Sequence, residues 1–141
     1  DEGAIAVHPV GLRAYCKQEA DLIESDERIF TWFARDVMNP TTGGERWLEW
    51  LESLKQIDGP VHLTIDIDGL DGSLVPATGT PVPGGLSFWH VDQTIDVLFE
   101  NCDVISADVN EIVAQLDTPL TEFTAAMIAT KIISAYIGKE V

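Results

Sequence analysis

HLTIDIDGLDGSLVPATGTPVPGGL, residues 62–86, joins an apolar run to a loop made mostly of Gly, Pro, Thr and Ala. Residues 61–67 read as a strand, and Asp66 and Asp68 stand two apart at its end. Side chains two apart in a strand share a face, so the pair is expected to project into one crevice. Adjacent carboxylates repel unless a cation lies between them or one holds a proton. A hard divalent ion is one economical answer. Solvated Asp pairs are also common at strand ends, and the spacing leaves both readings open. The loop that follows sets Pro76, Pro81 and Pro83 among Gly79, Gly84 and Gly85. Proline lowers the entropy of the free chain, and glycine permits turns that other residues cannot make. A long loop without regular structure inside a compact domain is usually functional. This one reads as the wall of an active site.

Outward from this stretch, strands and helices alternate. Residues 4–12 read as a buried strand ended by Gly11. A polar stretch with Lys17, Glu19, Asp21 and Glu24 follows. Ile29, Phe30, Trp32 and Phe33 then place a helix near 26–36, broken by Asn39-Pro40. Thr42 and Glu45 have the spacing of a capping box, ahead of Trp47, Trp50, Leu51 and Leu54 on one helical face. These tryptophans read as core. Phe88, Val91, Ile95, Leu98 and Phe99 space as a helix, and residues 103–109 form a short strand. Thr118-Pro119 starts a last helix carrying Phe123, Ala126, Met127, Thr130, Ile133 and Ile137. The order β-α-α-β-α-β-α implies an α/β fold with a parallel sheet and helices on its faces. Functional groups in such folds gather at the carboxyl ends of the strands. Asp66 and Asp68 sit at one such end, and Glu111 lies just past another. His62 shares the strand face of Asp66 but lies roughly 13 Å away at strand rise, too far to hold the same ion. It, His8 and His90 read as structural.

The chain has 141 residues, enough for one domain, and 45% are apolar, so disorder is not expected. No apolar run approaches the roughly 20 residues of a membrane span, and a soluble protein without membrane contact is expected. Eight basic residues against 24 acidic ones give a net charge of −16, which repels phosphate backbones and argues against nucleic-acid binding. Such acidity suits metal ions and guanidinium or amine substrates, and equally a solubilising surface. Cys16 and Cys102 stand far apart, as expected of reduced thiols in a cytoplasm. The opening Asp1-Glu2-Gly3 runs straight into "AIAVHPVGL", which reads as a start in mid-domain. No nucleotide-binding glycine pattern occurs.

"TIDIDGLDGSLVPATGTPVPGGL" resembles the ureohydrolase signature shared by agmatinases and arginases, in which a strand ends in D-x-D before a T-G-T-P loop and a G-G-L. "VHPVGLR" resembles that family's strand ending in G-[IL]-R, and "SADVNEIV" its segment ending in a substrate-binding Glu. The resemblance implies an arginase-type three-layer α/β/α sandwich with a parallel sheet, of which residues 1–141 form the C-terminal half. It implies hydrolysis of a guanidino group to urea with two bridged metal ions, usually manganese. Asp66 would then bridge or bind the metals and Asp68 would bind one of them. Glu111 would contact the guanidinium, and Thr78 and Thr80 would shape its pocket. Gly72 stands where the family usually has Pro. The family's remaining metal motifs, of G-G-D-H and D-A-H-x-D type, are absent, so an N-terminal half or partner subunit is expected to supply them. An oligomer is implied as well. The alternative is a non-catalytic half-domain kept as a binding or assembly module.

Overall fold

The computed structural model describes residues 3, 5–114 and 119–139. Strand β1 (Val10–Leu12) leads to helix α1 (Lys17–Ser25), strand β2 (Trp32–Phe33) and the single turn α2 (Ala34–Val37). Helix α3 (Gly43–Leu54), strand β3 (Pro60–Asp66) and a 3-10 turn (Ile67–Gly69) follow. Beyond the loop come α4 (Phe88–Asn101), β4 (Asp103–Asn110) and α5 (Leu120–Lys139). Among the described residues all strand pairing is parallel, β1 with β2 and β3 with β4, in two separate two-stranded sheets. The α/β class is as expected, but the sheet is present in two pieces.

One side of the β3–β4 sheet carries the core. Leu63 and Val104 point from the strands into Trp47, Trp50 and Leu54 of α3, Val91, Ile95, Leu98 and Phe99 of α4, and Ala125 and Ile128 of α5. Polar ends of the aromatics are satisfied within that layer. Trp47 Nε1 donates to Gln93 Oε1 at 2.7 Å, and Trp50 Nε1 to Thr94 Oγ1 at 3.3 Å. The core reading of both tryptophans holds. Lys131 of α5 pairs with Asp92 and Asp96 of α4 at 3.2 and 2.7 Å and pins the two helices together.

The other side of this sheet is polar and exposed. His62, Thr64 and Asp66 of β3 lie beside Ser106, Asp108 and Asn110 of β4 in register. His62 is therefore a residue of the sheet's open face rather than of the core, bonded to Ser106 Oγ at 2.7 Å and Asp108 Oδ2 at 3.2 Å. Among the described residues no helix covers this face. The expected three-layer sandwich is represented here by the sheet and one helical layer.

Several local expectations change. The stretch near 26–36 is not one helix: Val7 bridges Ile29, and Trp32 and Phe33 pair with Val10 and Leu12. Pairing with β1 overrides a spacing that fits either element. The helix lies earlier, at Lys17–Ser25, where Lys17 and Asp21 pair at i,i+4 and no residue is buried. The strand expected over 4–12 is regular only over Val10–Leu12; Ile5 and Val7 are exposed, and Ala4 lies outside the described residues. Thr42 has helical backbone angles and no capping bond. Instead Asn39 Oδ1 accepts from the backbone N–H of Thr41 and Thr42 at 2.9 and 3.2 Å. Helix α5 buries Thr121, Ala125 and Ile128, whereas Phe123, Met127, Ile133 and Ile137 are exposed. Thr118 lies outside the described residues. By length and composition Leu120–Gly138 is also apolar enough to cross a membrane, contrary to the expectation that no such run exists.

Candidate active site

Asp66 is the last residue of β3, and Asp68 stands in the 3-10 turn that follows. The two are thus not successive residues of one strand face, as the spacing suggests. The chain bends after Asp66 because Ile67, fully buried, turns inward and Leu70 N bonds back to Ile67 O at 3.1 Å. The carboxylates still feel one another. Partial burial raises the Asp66 carboxyl above its usual range, and the neighbouring charges of Asp68 and Asp108 raise it further. Asp108 is held below its usual range by the Thr64 hydroxyl, with His62 and Asn110 assisting. Thr64 Oγ1 and Asn110 Nδ2 each donate to Asp108 Oδ1 at 2.7 Å.

The loop after this turn is fastened at both limbs. Leu70 and Leu86 form a parallel bridge, with Asp71 N donating to Leu86 O and Leu86 N to Gly69 O. A Cβ on Gly85 would stand 2.5 Å from the backbone of Leu70, so the limbs approach this closely only with glycine there. Asp71 accepts from Ser73 N and Oγ and from the N–H groups of Gly84 and Gly85. These bonds, the Ser73 hydroxyl first, hold its carboxyl down at about 2. Gly72 N–H donates to Val82 O at 3.3 Å, a bond that proline could not make. Val75 and Ala77 are fully buried, and Ala77 N donates to the buried Thr121 Oγ1 of α5 at 2.9 Å.

Arg13, just past β1, is the residue the sequence reading left out of the site. Its guanidinium makes six hydrogen bonds to five backbone carbonyls. Nη2 reaches Asp68 O at 2.8 Å, Leu70 O at 2.9 Å and Val82 O at 2.7 Å. Its partners are all backbone carbonyls, which residue identity does not show. Asp71 and Asp108 lie within the quoted motifs, but only the fold shows their partners, the loop limbs for Asp71 and Thr64 and Asn110 for Asp108.

The tip of the loop lies between the two carboxylate groups. Thr80 Oγ1 donates to Asp68 Oδ2 at 3.2 Å. A Cβ added at Gly79 would stand 3.8 Å from Glu111 Oε2, and Val113 N donates to Ala77 O at 3.0 Å. Thr78 Oγ1 is buried with no hydrogen-bond partner among the described residues. Glu111 is exposed and has φ of 62°, a left-handed conformation rare outside glycine. The structure therefore brings Asp68, Thr80, Gly79 and Glu111 together around the loop tip, with the Asp68 charge close enough to act on Asp66. Oxygen donors that repel one another suit a hard divalent cation in kind. In number they do not complete a site, because no group of three or more His, Cys, Asp or Glu able to hold an ion occurs among the described residues.

The chain is similar to known proteins in sequence and in fold. The chain is 35% identical over 126 residues to an N(1)-aminopropylagmatine ureohydrolase of Synechocystis, covering 88% of this chain and 39% of that protein. It is 37% identical over 117 residues to the protein of that name from Thermococcus kodakarensis, covering 82% and 37%. The solved arginase of Bacillus caldovelox superposes with a TM-score of 0.74 at 28% identity, over 89% of this chain and 42% of that one. The chain thus spans well under half the length of these relatives. The profile of the arginase family matches residues 2–135, nearly the whole chain, and with the parallel α/β architecture this establishes that the chain belongs to the arginase family.

Proposed function

We propose that this chain is the C-terminal half of a metal-dependent, agmatinase-like guanidino hydrolase that releases urea. The observation that carries the reading is the loop tip, which touches Asp68 through Thr80 and approaches Glu111 at Gly79. The turn carrying Asp68 and the Glu111 carboxylate thus both lie against one loop tip. Asp66 and Asp68 would hold part of a binuclear manganese site, whose remaining ligands come from an N-terminal half or partner subunit. The ions, when bound, would activate water toward the trigonal guanidinium carbon. Glu111 would hold the planar cation by paired charge-assisted hydrogen bonds and aim its carbon inward. The unpartnered Thr78 hydroxyl and the Thr80 hydroxyl would line the pocket. The exposed apolar residues of α5 suit an assembly larger than this chain.

The test is urea release from a panel of guanidino compounds with manganese, by this chain alone and together with the remaining portion of a ureohydrolase. Release only in the completed enzyme supports the reading. Ligand or partner binding with no release by the completed enzyme supports the non-catalytic assembly module instead.

A further inference from the structure

We propose that Arg13 is a positioning residue for the metal-binding turn, setting the direction of Asp68 through the backbone; this rests on the function proposed above. A guanidinium has five N–H groups in a rigid planar fork and no acceptor. In this chain all three nitrogens point at backbone carbonyls, and no carboxylate pairs with it in these contacts. Those carbonyls belong to three segments far apart in sequence: Gly11 on its own strand, Asp68, Gly69 and Leu70 in the turn, and Val82 on the returning limb. Nη2 has two hydrogens and three acceptors, so its bonds to Asp68, Leu70 and Val82 are shared. Moving any one segment therefore disturbs the others.

The consequence falls on Asp68. Its carbonyl is fixed by Arg13 at 2.8 Å, and its carboxylate is met at 3.2 Å by Thr80, two residues from the clamped Val82. Arg13 thus holds the backbone of Asp68 directly, and it fastens the loop limb that carries Thr80 through Val82. Asp66 ends a strand whose neighbour β4 holds it in register through Asn110, so it does not depend on the clamp. The two carboxylates have separate supports. Removing Arg13 should weaken the ion held by Asp68 more than an ion held without it.

A lysine cannot substitute, since a compact ammonium with three donors does not reach five carbonyls in a plane. The experiment is a manganese titration followed by electron paramagnetic resonance on the completed enzyme, comparing wild type with Arg13→Ala and Arg13→Lys. Both variants should bind one ion as wild type does and the other about tenfold or more weakly, the scale for residues that orient metal ligands. Ile95→Val, a core change away from the loop, should lower the melting temperature and keep both affinities. If Arg13→Ala does not fold, Arg13→Lys decides. Two ions bound at wild-type affinity in Arg13→Lys would overturn the role of Arg13, whatever the change in melting temperature. Failure of wild type to bind an ion pair would overturn the reading of the site, and this role with it.

Discussion

Glu111 holds a backbone conformation, φ of 62°, that costs a non-glycine residue about 1–3 kcal/mol. Strain of that size is expected where a side chain must point somewhere specific. Here it places the carboxylate beside the Gly79 tip. Glu111→Gln keeps the shape and removes the charge, so kcat/KM of the completed enzyme should fall roughly a hundredfold, the scale of a lost charged hydrogen bond of about 3 kcal/mol. Metal content should be unchanged; loss of metal, or undiminished turnover, would show that Glu111 does not bind the guanidinium. Asp71 offers a pH test. Its folded pKa of about 2 lies below the ordinary carboxyl value of 3.8, so its contribution to stability is complete above that value and is lost as pH falls toward 2. Asp71→Asn should lower the melting temperature at pH 6 and flatten its decline between about pH 4 and 2. An unchanged profile would mean the loop limbs do not depend on this carboxylate.

At the scale of elements, α3 and α4 are joined by buried indoles whose N–H groups are satisfied across the helix pair. Trp50→Ala should cost about 3–5 kcal/mol, while Trp89→Ala, on the exposed side of α4, should cost little. Equal losses in denaturant titrations would contradict this account of the core. Elements whose pattern is enforced by local chemistry were legible: β3, the Pro- and Gly-rich loop, α4 and β4. Residues 29–33 were not, because four apolar residues in five fit a helix turn or a strand equally, and only β1 decides between them. Helix α5 is apolar on more than one side, so its periodicity cannot say which side meets α4. Asp66, Asp68, Glu111 and the threonines stand out as candidates in the sequence because they fall at strand ends and in a recognisable loop. Arg13 does not, since its partners are backbone carbonyls, which leave no trace in residue identity.

For the whole molecule, the β3–β4 sheet has a polar open face, and helix α5 exposes Phe123, Met127, Ile133 and Ile137. Unpaired strand edges and uncovered apolar residues favour association. This chain alone should sediment as an oligomer or require a partner for stability; a monomer with a sharp thermal transition would count against the half-domain reading. The most direct test of a shared metal site is the stoichiometry of manganese binding by calorimetry. Two carboxylates without further ligands should bind manganese weakly in this chain alone. The completed enzyme should bind two ions tightly, and Asp66→Asn should abolish that pair. Tight binding of two ions by this chain alone would contradict the account.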